Sequence, residues 1–192
     1  MNSRNIREVK KNINGKKLHM EVLDDGEFTT VNPKCYDNLI GGKKYSVKDL
    51  VLLLLGVDAE IPLKKLLLMK EAFLFEKELS YELELNFEPL QFVPYKFGPY
   101  SKLLDETLDS MDDLLTIEYS SGKQEIKLNE KGKTEAEKLI ATIPDYKIKK
   151  IKFIRIGWDQ LGNKGILKRV YIDYPVYTAN SEIKDDVLGD RQ

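Results

Sequence analysis

The chain is short of the residues on which most site chemistry depends. Its 192 residues include one histidine, His19, one cysteine, Cys35, and one tryptophan, Trp158. A lone cysteine excludes an intramolecular disulfide and fits a reducing compartment, so a cytoplasmic location is expected. One Cys and one His cannot assemble a structural zinc site of the Cys/His type. His19 alternates with Leu18 and Met20 and reads as a strand side chain rather than a catalytic base. Neither a GxGxxG string nor a P-loop occurs, which removes the usual phosphate cradles. Long apolar runs are missing too. Leu50–Val57 is the longest, far below the ~20 residues of a membrane span. Met1–Lys17 is basic and polar without an apolar centre, unlike a signal peptide. No cofactor and no membrane partner are expected. An enzyme of hydrolytic or transfer type would need a nucleophile with its base, a metal set or a phosphate cradle, and a non-enzymatic role follows as the expectation.

Charge is balanced overall, at −1, but unevenly spread. Residues 1–45 carry nine Lys/Arg against six Asp/Glu, residues 46–128 nine against sixteen, and residues 129–192 thirteen against ten. An acidic middle therefore lies between mildly basic ends. It reads either as ordinary solvated surface or as a face for a basic partner, with nucleic acid confined to the flanks.

The pattern divides the chain into an N-terminal β-hairpin appendage with its connector, 1–45, and a mainly α domain with a small β component, 46–192. Over 16–32, Leu18, Met20 and Val22 alternate with polar residues, Asp24-Asp25-Gly26 signals a turn, and Phe28, Thr30 and Val31 resume β composition. Ser46 is a good N-cap for a helix over 47–56. A second helix of about 62–79 begins at Pro62 and is apolar over a wide stripe including Leu63, Leu66, Leu67, Met69, Ala72, Phe73 and Phe75. Tyr81, Leu83 and Leu85 suggest a short strand. Tyr95, Phe97 and Tyr100 form an extended aromatic string that is expected to be buried. Gly98-Pro99 ends the string, with Pro99 placed to open a third helix over about 99–113. Thr116–Tyr119 and Gln124–Leu128 flank a Ser121-Gly122 turn and make a second hairpin. Asn129 caps a helix over 130–142, Asp145 one over 146–158, and another starts near Asn163 and stops before Pro175. Ser181 is the candidate cap of a last turn. Helix, hairpin and helix in this order outline a winged-helix-like domain with extra C-terminal helices.

Three groups of residues are candidates for contact with other molecules. Asp105, Asp109 and Asp112 recur at i, i+4, i+7 on one helix face, which reads as solvated surface or a partner contact. The fixed oxygen ligands of a Mg²⁺ or Ca²⁺ site are not apparent nearby. That helix would be the one to enter a DNA major groove, yet it carries Lys102 against five acids, so phosphate repulsion opposes it. Lys123 near the hairpin tip is a weak basic feature; the run Lys147, Lys149, Lys150, Lys152 and Arg155 is the better one. On a helix its lysines flank Ile148, Ile151, Ile154 and Trp158, as lysines snorkelling round a packed helix also do. Tyr171, Tyr174 and Tyr177 either dock the C-terminal segment on the core or supply a dimer seam or partner contact.

The string Phe92-Val93-Pro94-Tyr95-Lys96-Phe97-Gly98-Pro99-Tyr100-Ser101, followed by Leu104, Leu108 and Leu114, by Leu128-Asn129-Glu130-Lys131-Gly132, and by Val170-Tyr171, Tyr174-Pro175 and Tyr177-Thr178, resembles the YwgA-like group of uncharacterised bacterial and archaeal proteins. More distantly it is similar to the SocA-like antitoxin, or Panacea, domain. The resemblance covers about 46–188. It implies a winged-helix-like fold, no established enzymatic activity, and antitoxin or adaptor roles through protein binding. The favoured expectation is thus a protein-interaction or regulatory module, antitoxin-like or defence-associated. The alternative is a DNA-binding winged-helix regulator. A homodimer suits either, with the N-terminal hairpin or the tyrosine cluster at its seam.

Overall fold

The computed structural model describes residues 6–13, 16–23, 29–30, 44–120 and 123–189. Within them the protein is mainly helical with small sheets, and no helix is long and apolar enough to cross a membrane. The turn at Asp24-Asp25-Gly26, Phe28, Val31, Cys35, Gly41-Gly42 and the Ser121-Gly122 turn lie outside the described residues.

Strands β2 (Lys16–Leu23) and β3 (Thr29–Thr30) pair antiparallel, with Glu21 opposite Thr30, as the hairpin reading expects. The sheet has a further member. Strand β1 (Ile6–Ile13) runs antiparallel along the other edge of β2, from Ile6 opposite Leu23 to Ile13 opposite Lys16. Its apolar residues Ile6, Val9 and Ile13 stand three and four apart, so the period-2 signature of a strand is missing from the sequence.

The main core begins at β4 (Lys44–Tyr45), which pairs in parallel with β6 (Asn86–Phe87). Helix α1 (Val47–Gly56) opens on a full capping box. The Asp49 N–H donates to Ser46 Oγ at 3.1 Å and the Ser46 N–H donates to Asp49 Oδ2 at 2.8 Å. Leu50 to Leu55 are all buried, so this helix is covered on every side, as its unbroken apolar run requires. Strand β5 (Leu63–Lys64) precedes helix α2 (Lys65–Leu74), which runs into a π-helical turn at Phe75–Leu79. The second helix therefore starts three residues after Pro62. Leu63 is taken by the sheet instead, opposite Ile126 of β10 (Lys123–Leu128), and β9 (Leu115–Ser120) completes the order β5-β10-β9. The β9–β10 hairpin matches its expected place. The Tyr81–Leu85 segment is not a strand. It forms turns that bury Leu83 and Leu85 and leave Tyr81 exposed.

The largest correction concerns Pro99. Gly98-Pro99-Tyr100 is strand β8, paired antiparallel with β7 (Val93–Tyr95), and helix α3 (Lys102–Asp109) starts only after it. The Lys96-Phe97 turn is tight, and Gly98 supplies the positive φ of 84° that it needs. Pro94 lies opposite Pro99. Neither can donate to a ladder, and the alternation of antiparallel pairs places them where no N–H is required. Ser101 then does the work of starting the helix: its Oγ accepts from the Leu104 N–H at 3.0 Å and donates to the Leu90 carbonyl. A side-chain cap outweighs a favourable φ.

Helix α4 (Glu130–Ile140) is capped by Asn129 as expected, with the Gly132 N–H donating to Asn129 Oδ1 at 2.9 Å. Helix α5 (Asp145–Asp173) breaks at Gly162, whose φ of 62° and ψ of −177° no helix contains. It thus consists of the two helices that the sequence suggests. A 3₁₀ turn (Pro175–Thr178) and a short helix α6 (Lys184–Leu188) end the chain, and Ser181 Oγ accepts from the Ile183 N–H at 3.3 Å.

Ser101 is fully buried and serves both α3 and the loop at Leu90. Ser101→Ala removes the cap and orphans a carbonyl, and should cost about 1–3 kcal/mol in urea unfolding. A loss below about 0.5 kcal/mol would show that the cap is dispensable.

Candidate functional site

Helix α2 is so deeply set that Leu67 through Leu74 are all buried, including Lys70 and Glu71. Its residues Lys65, Leu66, Met69 and Lys70 line one side of a cavity of about 260 Å³. The β7–β8 hairpin, from Tyr95 to Tyr100, forms the other wall, and Asp105 of α3 closes one end. The rim is apolar and open to solvent: Leu66 is 38% exposed, Phe97 45%, Tyr95 48% and the neighbouring Val93 51%.

This overturns the expectation that the aromatic string is buried. Phe97 occupies the tip of a two-residue turn, from which it cannot reach the core, and Tyr95 closes that turn. Only Gly98, Pro99 and, partly, Tyr100 are inward. The slot behind the hairpin is filled by Tyr171, whose ring would lie 3.1 Å from any Cβ added at Gly98. Tyr171 and Ser181 join through their hydroxyls at 2.5 Å, and Ser181 Oγ donates to the Lys96 carbonyl at 3.1 Å. The Glu182 N–H donates to the same carbonyl at 2.9 Å. The C-terminal segment therefore braces the hairpin turn from behind.

Two cations line the cavity, in contrasting states. Lys65 Nζ lies 2.5 Å from Asp105 Oδ1 and 3.5 Å from Asp109 Oδ1. Burial works against its charge, but the two carboxylates outweigh burial and raise its pKa. The Tyr100 hydroxyl donates to Asp105 Oδ2 at 2.8 Å, which pushes the phenol up to about 12. Lys70 is 1% exposed, and its Nζ donates to the Pro99 carbonyl at 2.8 Å. Among the described residues no carboxylate pairs with it, and burial pulls its ammonium down to about 7.

Glu71 points elsewhere on the same helix. Its Oε2 accepts from Arg155 Nε at 3.3 Å, and Arg155 Nη2 lies 3.7 Å from Asp159. Glu71 Oε1 and both Arg155 terminal nitrogens lack hydrogen-bond partners. Burial drives the Glu71 carboxyl up, and one long contact with Arg155 does not offset it. Lys70 and Glu71 went unread in the sequence, although a helix apolar on all sides leaves its polar members nowhere to go but inward.

The other sequence candidates are dispersed. Asp105 and Asp109 share Lys65, whereas Asp112 lies beyond the end of α3 and is exposed. Arg155 is 1% exposed and serves the core. Lys147 is buried, Lys149 pairs with Asp145 at 2.6 Å, Lys150 pairs with Glu82, and Lys152 is exposed. Lys123 belongs to β10, and its side chain lies outside the described residues. The three tyrosines turn inward. Tyr171 fills the hairpin slot, the Tyr174 hydroxyl donates to Glu78 Oε1 at 3.0 Å, and the rings of Tyr174 and Tyr177 both meet Phe73 edge-on. Among the described residues no cluster of three or more His, Cys, Asp or Glu could hold a metal ion.

In comparisons with known proteins, no family model, no curated protein and no solved structure matches the chain.

Lys70 sets a pH test. Between about 7 and the ordinary lysine range, the unfolded chain holds a proton that the folded chain has released. Stability should therefore rise with pH across that window, with a slope of up to about 1.4 kcal/mol per pH unit. Glu71 acts with the opposite sign: its raised pKa makes stability fall as pH climbs from the ordinary carboxylate range to the raised value. Urea unfolding from pH 6 to 10 should show the rise above about pH 8 in the wild type, where Glu71 no longer opposes it, and its loss in Lys70→Met. A rise of equal slope in both proteins would refute the assignment.

Proposed function

We propose that this chain is a cytoplasmic protein-interaction module on a winged-helix-like scaffold, of the YwgA-like or Panacea type, acting as an antitoxin-like or defence-associated regulator rather than as an enzyme. The observation that carries the reading is the solvent-open apolar rim of Tyr95, Phe97 and Leu66 around the cavity, with Val93 exposed beside it. Apolar side chains gathered at one mouth cost solvation free energy while they face water, and such patches mark interaction sites. Supporting the scaffold, α1, β5, α2, α3 and the β9–β10 hairpin follow one another as the helices and wing of a winged helix do, with the β6–β8 segments inserted between the second and third helices.

The distribution of charge weighs against DNA as the partner. Helix α3 would be the reader, and it presents Glu106 and Asp109 beside Lys102, which is itself paired with Glu106 at 3.2 Å. Of the basic C-terminal group, Lys147 and Arg155 are withdrawn into the protein and Lys149 and Lys150 are matched with acids. Phosphate binding needs several uncompensated cations on one face.

The homodimer remains part of the proposal, with its seam assigned to the β1–β3 sheet, since the tyrosines are spent on the chain's own core. Light scattering should give a dimer for the full chain and a monomer for a chain starting at Gly42.

The interaction reading is tested with Tyr95→Ser/Phe97→Ser. Both side chains are about half exposed, so unfolding free energy should change by less than about 1 kcal/mol. Tagged wild-type protein should retain a protein partner from the source cells that the variant loses. Duplex DNA titrated over a salt series should bind weakly and alike to both. Steep salt-dependent DNA binding, with no partner dependent on Tyr95 and Phe97, would replace this reading with the DNA-binding one.

A further inference from the structure

The cavity holds an unusual combination. Its mouth is aromatic and exposed, and its lining includes Lys70, 1% exposed, whose amine has one hydrogen-bond acceptor and, among the described residues, no counter-charge. Lys70 Nζ carries up to three N–H donors, and the Pro99 carbonyl satisfies one of them. Lys65, the other cation among the described lining residues, is already claimed by Asp105 and Asp109. An isolated buried ammonium is costly unless something pairs with it. An anion entering the cavity would supply both the missing charge and the missing acceptors.

Size and surroundings narrow the anion. A volume of about 260 Å³ lies below the range of drug-sized ligands, ~300–1,000 Å³, and suits one residue of a polypeptide. The exposed apolar strip of Val93, Tyr95 and Phe97 runs on past the mouth. It is surplus to a small acid, but it would cover further residues of a chain. We propose that the cavity captures the free C-terminus of a partner polypeptide that ends in an apolar or aromatic residue. In this arrangement the carboxylate accepts from Lys70 Nζ, the last side chain lies between Met69 and the hairpin, and the preceding residues cross Tyr95 and Phe97. Capture of a terminal carboxylate by converging N–H donors is an established mode of peptide binding, in which backbone amides supply the donors. The proposal rests on the protein-interaction reading and specifies what the partner must present.

Proton linkage gives the site a signature. A carboxylate favours the charged amine, so affinity should be flat below about pH 7, where Lys70 is already protonated, and fall roughly tenfold per pH unit above it. The other titratable groups facing the cavity do not change charge there. Lys65 is raised by its carboxylates, Asp105 is lowered, and the Tyr100 phenol is raised; Tyr171, behind the hairpin, is raised too. Glu71 is also shifted upward, but it is directed at Arg155 on α5, and Lys70→Met separates the two.

The experiment uses an N-acetylated pentapeptide ending in phenylalanine, its C-terminally amidated twin, and 3-phenylpropanoate, each titrated calorimetrically into the full chain at pH 6.5. The free-acid peptide should bind about ten- to a hundredfold more tightly than the amide. Lys70→Met, which replaces a buried amine with an apolar chain of similar length, should abolish that difference while remaining folded. At pH 8.5 the wild-type preference should shrink by about tenfold or more. Equal binding of acid and amide, lost in Tyr95→Ser/Phe97→Ser, would overturn the carboxylate assignment and leave the interaction reading standing. Binding of 3-phenylpropanoate without the peptide would overturn the polypeptide and make the site one for a small acid. No binding of any of the three would overturn the proposal outright.

Discussion

From Leu67 to Leu74 helix α2 is buried on every side, and the rest of the molecule is arranged round that constraint. A helix with 3.6 residues per turn that buries eight successive side chains has no face left for solvent. Lys70 and Glu71, about 100° apart on its surface, must then be accommodated by whatever packs against them. The two solutions differ. Glu71 is met by Arg155 from α5, in a pair that leaves one carboxylate oxygen and two guanidinium nitrogens unsatisfied. Breaking such a pair by removing one partner is far more destabilising than replacing both, so α5 is held to α2 as much by the cost of separation as by the strength of the contact. Lys70 is met by a backbone carbonyl of β8.

That second solution explains why the hairpin sits where it does. Pro99 has no N–H to offer, but its carbonyl is free to accept, and Gly98 lets the strand come close to both Tyr171 and the Lys70 amine. The bracing of Lys96 by Ser181 and Glu182 holds the turn from the far side. With its backbone clamped on both faces, the hairpin has no slack to fold Tyr95 and Phe97 inward. Their exposure follows from the same contacts that bury Lys70.

The sequence made the regular parts of this fold legible and concealed the irregular ones. Ser46 and Asn129 are local cap signals whose hydrogen bonds form within one turn, so the starts of α1 and α4 could be read directly. The β9–β10 hairpin was equally local. The start of α3 was not, because Pro99 suits a helix start and a strand edge alike. The choice was made by Gly98, Ser101 and the distant Leu90 carbonyl. Strand β1 escaped because Ile6, Val9 and Ile13 carry a helical spacing that pairing with β2 overrides. The candidate site was the least legible part. Counting charges along Lys147–Arg155 could not distinguish Arg155, which is needed by Glu71 some eighty residues earlier, from Lys152, which stands in solvent.

The same logic separates residues that can recognise something from those already committed. Opposite charges paired within the chain are neutralised locally and offer little to a partner. That is the state of Lys65, Lys149, Lys150, Asp105 and Asp109. The tyrosines are likewise committed, since a ring packed edge-on against Phe73 has surrendered its surface. What remains uncommitted at the cavity is an apolar rim and an amine with spare donors, brought together by the hairpin. Apolar surface facing water and an uncompensated buried charge both raise the free energy of the unliganded protein. One ligand with an apolar body and a negative end relieves both at once. Neither feature alone would specify a ligand, and their juxtaposition across α2 and β8 gives the cavity its chemical direction.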